Sequence, residues 1–137
     1  MTIQSNHQLA LIERYLVAYN GFDVEAMLAV LSPDIRFENY SGGELTAHAT
    51  GIEEFRHLAT QSTAIFAERE QRIATLELND NPGEKPGDGV VTARIDFRGR
   101  LAVDIAGGPP AGTVLELQGQ SAFTFRGALI ASIVDRS

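Results

Sequence analysis

The stretch Val90-Val-Thr-Ala-Arg-Ile-Asp-Phe-Arg-Gly-Arg-Leu-Ala-Val-Asp104 alternates apolar and polar side chains with a period of two. Side chains two apart on a strand share a face. Val91, Ala93, Ile95, Phe97, Leu101, Val103 and Ile105 therefore fall on one side, with Thr92, Arg94, Asp96, Arg98, Arg100 and Asp104 on the other. A strand with one buried and one wet face points to an antiparallel sheet covered on a single side. Working outward, Arg72 to Asn79, Thr113 to Phe125 and Leu129 to Asp135 read as further strands. The segments Asn79 to Gly89 and Ala106 to Gly112 are dense in Gly, Pro, Asn and Asp, and are predicted to turn the chain between antiparallel neighbours.

Upstream the period changes. Leu9, Leu11, Ile12, Tyr15, Leu16, Tyr19 and Phe22 recur at helical spacing, which predicts a helix from about Ser5 to Asn20 with Asn20-Gly21 as its stop. Asp23 is placed to cap a short second helix carrying Val24, Met27, Leu28 and Leu31, ended by Ser32-Pro33-Asp34. Ile35-Arg-Phe37-Glu-Asn39 alternates as a strand, and a Gly-containing loop is expected from Ser41 to Ala49, with His48 near a pocket rim. Thr50-x-x-Glu53 fits a capping box opening a third helix from Gly51 to about Phe66, with Ile52, Phe55, Leu58, Ala59 and Ile65 inward. The expected architecture is α+β: one domain over residues 1–137, in which a cone-shaped, strongly curved antiparallel sheet is closed by three N-terminal helices around a pocket.

Composition narrows the function. The chain has 137 residues and a formal charge of −7, a field that repels phosphate backbones and argues against a nucleic-acid partner. It has no cysteine, hence no thiolate nucleophile, disulfide framework or Cys-based metal site. No apolar run approaches the roughly 20 residues that span a bilayer, so no membrane association is expected. Met1 to Ala10 lacks the basic and apolar regions of a secretory signal, which predicts a cytoplasmic protein. The Asn39-Tyr-Ser41 sequon is accordingly read as coincidence. His7, His48 and His57 have no metal-ligand spacing, and no phosphate loop, dinucleotide fingerprint or nucleophile elbow occurs. Neither metal nor cofactor is expected.

The residues Ile12-Glu-Arg-Tyr15-Leu-Val-Ala-Tyr19-Asn20 with Asp23, Leu31-Ser-Pro-Asp34 running into Phe37-Glu-Asn39, Gly51-Ile-Glu-Glu-Phe55, and Phe123-x-Phe125 followed by Ile133-Val-Asp135 give the chain a recognisable outline. It resembles the nuclear transport factor 2-like superfamily, in its SnoaL-like branch of polyketide cyclases with ketosteroid isomerase and limonene epoxide hydrolase relatives. The resemblance covers nearly the whole chain and implies the cystatin-like α+β barrel of that superfamily. It does not fix the chemistry, because isomerases, cyclases, hydrolases and binding proteins share this frame.

Strand parity selects the polar groups able to face the pocket. Asp135, in parity with Ile133, resembles the aspartate that SnoaL-like cyclases use as general acid or base. Desolvation among apolar neighbours would raise its pKa toward neutrality. Tyr15, on the apolar stripe of the first helix, resembles the hydrogen-bonding tyrosine of ketosteroid isomerases and would hold a ketone or enolate oxygen. Asn39, in parity with Ile35 and Phe37, falls where those isomerases carry a general-base aspartate, and Ser121, in parity with Phe123 and Phe125, where they keep a second, protonated carboxyl. Steroid-type proton shuttling is therefore disfavoured. Asp135, Tyr15 and Asn39 are the expected catalytic residues, and Tyr19, Phe37, Phe55, Ser121 and Phe123 the expected substrate contacts. An epoxide-hydrolase relay would need Arg94 and Asp96 in the pocket, but their parity is opposite to Ile95 and Phe97.

Two functions stay open. One is a cofactor-independent acid-base enzyme, of cyclase, isomerase or lyase type, acting on a small, largely apolar carbonyl compound. The other is a non-catalytic ligand-binding or assembly module, favoured by an amide and a hydroxyl at the two isomerase carboxyl positions. The outer sheet face, with Arg94, Asp96, Arg98, Glu116, Gln118 and Gln120, carries both charges, and relatives of this fold pair through it, so a homodimer is expected.

Overall fold

A computed structural model describes residues 3–79 and 89–137. The helical period near the N-terminus forms α1, Ile3–Asn20, which buries Leu11, Ile12, Tyr15, Leu16 and Ala18 and turns Val17 to solvent. It ends where Asn20-Gly21 predicts, but the left-handed residue is Phe22, at φ 58°, rather than the glycine. Gly21 N–H donates to Val17 O at 3.0 Å and Asp23 N–H to Ala18 O at 2.9 Å, which closes the last turn. Asp23 then caps α2, Val24–Leu28, as expected, accepting from Ala26 N–H at 3.1 Å.

Chain direction reverses through a hairpin of β1, Leu31–Ser41, and β2, Glu44–Thr50. Most of the segment expected as a loop is thus strand. β2 is an edge strand in which Leu45, Ala47 and Ala49 alternate with Glu44, Thr46, His48 and Thr50, a period-two signal that the loop expectation passed over. Helix α3, Ile52–Thr63, buries Phe55 and Ala59. Its cap lies one residue later than the capping box predicts: Gly51, at φ 89°, is the N-cap, and Glu54 reaches back to accept from Thr50 N–H at 3.1 Å. Four strands follow, β3 Phe66–Asn79, β4 Val90–Leu101, β5 Val114–Arg126 and β6 Leu129–Arg136. The expected turn around residues 80–88 lies outside the described residues.

The expected cone-shaped antiparallel barrel is corrected by the sheet topology. The six strands lie in the order β2-β1-β6-β5-β4-β3, and β1 runs parallel to β6 from Arg36↔Ser132 to Tyr40↔Arg136. The sheet is therefore mixed. It is also open, with β2 and β3 as its two edges and no pairing between them, and it is not strongly curled. The hairpins fix antiparallel neighbours along the chain, but β1 and β6 meet through a long crossover that hairpin reasoning cannot see. The third helix follows a strand as expected, with β2 as an additional strand between β1 and α3.

Face assignment is insensitive to strand direction. Val91, Ala93, Ile95 and Leu101 are buried, Phe97 is half-buried, and Arg94, Asp96, Arg98 and Arg100 are exposed. Val103 and Ile105 are exposed, because β4 ends when Leu101 closes a turn with Gly112 and Thr113. The helices pack with Ile35, Val91, Ile95, Phe123, Phe125, Ile130 and Ile133 in one apolar core. No described helix is long and apolar enough to cross a membrane.

Candidate active site

Beside this core lies a cavity of about 460 Å³, lined by Tyr15, Tyr19, Phe37, Asn39, Phe55, Ser121 and Asp135 among others. Phe123 does not line it. That ring is fully buried and packs edge-on behind Tyr15, with centroids 6.3 Å apart, so it supports the wall rather than forming it. Phe55 stands 6.5 Å from Tyr15 and 5.6 Å, at a near right angle, from Phe37. These tilted and edge-to-face contacts hold the aromatic wall in place.

Three polar side chains share one row of the sheet. Asp135 pairs in register with Asn39 on β1 and with Ser121 on β5. The parallel pairing places Asn39 and Asp135 at corresponding ends of their strands, which an antiparallel arrangement would not require. Ser121 donates its hydroxyl to Asp135 Oδ1 at 2.6 Å. The Asn39 amide turns along the edge instead, donating from Nδ2 to Thr46 Oγ1 at 2.8 Å, while Thr46 Oγ1 donates to the Asn39 carbonyl at 3.1 Å.

Asp135 is held although it is near the last residue. Ser137 N–H donates to Tyr40 O and Gly42 N–H to Ser137 O, both at 3.0 Å, tying the segment to β1 and the β1–β2 turn. Gly119 makes the crossing possible: a Cβ there would meet the Arg136 carbonyl oxygen at 2.8 Å. Burial pushes the Asp135 carboxyl up to about 6, against the opposing pull of the Ser121 hydrogen bond. At neutral pH it is mostly ionised yet takes up a proton readily. Tyr15 is only 5% exposed; burial first, and the Asp135 charge second, push its phenol well above the usual range, so it is a hydrogen-bond donor. Tyr19 is raised mainly by burial, with Arg69 opposing.

Pattern reading missed several polar residues of the cavity, among them Gln61, Ser62, Gln71 and, most consequentially, Arg69. It sits on β3, upstream of the predicted strand start at Arg72, in a charged run Glu68-Arg69-Glu70 that masks the strand signal. Extending the strand by a few residues would have placed Arg69 in parity with Gln71 and Ile73, facing inward. Its Nε donates to Tyr19 O at 2.8 Å, at the C-terminus of α1 where a cation is favoured, and Nη1 donates to Ser62 Oγ at 3.1 Å. Neighbouring Asn20 clamps the same edge by donating to Gln71 O at 3.2 Å and accepting from Gln71 N–H at 2.7 Å.

The other candidates lie elsewhere. Arg94 and Asp96 are exposed on the outer face, outside the cavity. His48 is exposed on β2, with Ser41 and Ala47 lining the cavity nearby. No three His, Asp or Glu side chains are grouped to hold a metal ion among the described residues. The arrangement offers one carboxylate poised for proton transfer, two phenol donors and a buried guanidinium around an apolar space.

Comparison with known proteins gives a consistent family. A family model described as the SnoaL-like domain matches residues 12–133. None of the curated proteins matches the chain. Among solved structures, a candidate polyketide cyclase from Xanthomonas campestris pv. campestris is 20% identical, with a TM-score of 0.76, 98% of this chain and 92% of that chain being covered. TsrD from Streptomyces laurentii is 23% identical with a TM-score of 0.73, covering 95% and 87%. A candidate polyketide cyclase from Pseudomonas putida is 24% identical with a TM-score of 0.67, covering 91% and 86%. At these identities the likeness is one of fold.

Proposed function

The chain belongs to the SnoaL-like domain family of the nuclear transport factor 2-like superfamily, and on that premise we propose that it is a cofactor-independent enzyme of cyclase or isomerase type, moving a proton on a small, largely apolar carbonyl compound. The observation that carries this reading is the Asp135 carboxyl, raised to about 6 at the wall of an aromatic cavity. A carboxylate of that basicity can remove a proton α to a carbonyl and return it later. Tyr15, a protonated phenol in the same cavity, is suited to hydrogen-bond the oxygen on which negative charge develops. Ser121 keeps the carboxylate oriented through its hydrogen bond. Tyr19, Phe37 and Phe55 supply the apolar contact, and Asn39, tied to Thr46, positions the wall next to Asp135. The likeness in fold to two candidate polyketide cyclases supports a carbonyl-rich substrate. Turnover of a panel of aromatic ketones and β-diketones tests the reading: Asp135→Asn should abolish it, and unchanged turnover would refute it.

A ligand-binding or assembly role is the second reading, favoured by one observation. Asn39 Nδ2 and Ser121 Oγ already donate to Thr46 and Asp135, so both are engaged within the protein without a ligand. Tight ligand binding with no turnover on that panel would support it.

We also propose a homodimer through the outer sheet face. Arg98 and Glu116, 3.4 Å apart there, present paired charges that a two-fold contact can exchange between copies. Light scattering should give twice the chain mass, and a monomer at all concentrations would refute the contact.

A further inference from the structure

Arg69 is 6% exposed and lines the same cavity as Asp135. Two of its nitrogens are accounted for by Tyr19 O and Ser62 Oγ; the third, Nη2, is buried with no hydrogen-bond partner. Its guanidinium stacks 3.7 Å from the centre of the Tyr19 ring and 4.5 Å from that of Phe22. Phe22, which carries that second ring, has a left-handed φ of 58°. Glu68 and Glu70, its sequence neighbours, alternate to the opposite face, where they pair with Arg100 at 3.9 Å and Arg72 at 3.1 Å. Among the described residues no carboxylate pairs with Arg69. An arginine stays protonated at any ordinary pH, and a buried cation with neither counter-charge nor a full set of acceptors is costly. The C-terminus of α1 explains Nε and Ser62 of α3 explains Nη1, while Nη2 meets no hydrogen-bond acceptor, although the Tyr19 phenol interacts with the guanidinium.

We propose that the ligand of this cavity is an organic carboxylate whose anionic group docks on the Arg69 guanidinium, with its apolar body along Phe55 and Ile95 and its reacting carbonyl toward Asp135. The inference rests on the cavity being the substrate site. Guanidinium–carboxylate hydrogen bonds are charge-assisted and gain strength where water is excluded, so the negative group is recognised here rather than merely tolerated. The substrate class thus narrows from apolar carbonyl compounds to keto acids and related aromatic acids.

The test compares two probes of nearly equal shape, 2-naphthoate and 2-naphthamide, by calorimetry and by amide shifts of the full chain. Naphthoate should bind the wild type about tenfold or more tightly than the amide, with shifts at Phe55 and Ala59. Arg69→Gln should remove the preference and Arg69→Lys should retain part of it. Equal affinities for the two probes in the wild type, with those shifts present, overturn the Arg69 assignment while leaving the cavity as the site. A preference for naphthoate that survives Arg69→Gln in a folded protein also overturns it. Binding of neither probe, or binding without shifts at the cavity wall, overturns the cavity reading and this inference with it. Because the wild-type comparison needs no variant, the proposal stays falsifiable even if Arg69→Gln does not fold.

Discussion

The hydroxyl of Ser121 donates to Oδ1 of Asp135 at 2.6 Å across the β5–β6 pair, so the carboxylate of the cavity is oriented by the residue directly opposite it. The bond favours the ionised form and offsets part of the desolvation that raises the Asp135 pKa. Ser121→Ala removes that offset. The apparent pKa of Asp135 should climb further above 6, by roughly one pH unit for a hydrogen bond to a charged group. Carbon-detected NMR titration of the Asp135 carboxyl in both proteins checks this.

Burial of the same group also makes stability depend on pH, with a sign opposite to that of a salt-bridged aspartate. The Asp135 pKa is raised from 3.8 to about 6, so between those values the native state binds more protons than the unfolded chain. Stability from this group is then greatest below pH 4 and declines as pH rises to about 6, by on the order of 2–3 kcal/mol. Asp135→Asn keeps an acceptor for Ser121 and removes the titration. Urea unfolding at pH 5 and pH 8 should show the variant gaining relative to the wild type as pH rises.

Gly119 is the point where the β6 terminus crosses β5, and its missing side chain lets the Arg136 carbonyl approach. Gly119→Ala forces backbone apart, because the clashing atom is a main-chain oxygen. We expect a loss of about 1–3 kcal/mol in stability and weaker turnover, since Arg136 adjoins Asp135. Thermal unfolding and turnover should fall together.

Asn20 supplies both hydrogen bonds that Gln71 makes toward α1, in place of a further strand at the β3 edge. Asn20→Ala leaves a half-buried donor and acceptor without partners, and should cost about 2 kcal/mol. Hydrogen exchange at the Gln71 amide should accelerate, while amides of Ala93 and Phe123 in the sheet interior should change little.

How far the residues alone reached depends on which property is asked of them. Three helices, the alternating strands and the inward parity of Asn39, Ser121 and Asp135 were legible, because helical period and strand alternation are local. The mixed, open sheet was not, since pairing of Leu31–Ser41 with Leu129–Arg136 joins segments almost a whole chain apart. The β2 strand does alternate, Leu45, Ala47 and Ala49 against Glu44, Thr46 and His48, but its inward side chains are mostly small and only Ala49 is buried, so the pattern is short and weak. Arg69 was hidden by its neighbours, two outward-facing glutamates that give the segment the look of a solvated surface. Phe22 illustrates the same limit at a turn: glycine is the natural left-handed residue, yet the ring's stacking on Arg69 accompanies the strained position one residue later.

Proton transfer by Asp135 is the central claim, and deuterium exchange tests it most directly. In heavy water, NMR can follow replacement of the C1 protons of 2-tetralone, a neutral ketone that makes no demand on Arg69. The wild type should accelerate exchange over buffer, with a rate that rises with pH and reaches half its maximum near 6, while Asp135→Asn should exchange at the buffer rate. Acceleration that persists unchanged in Asp135→Asn, or none by the wild type at any pH, would contradict the account.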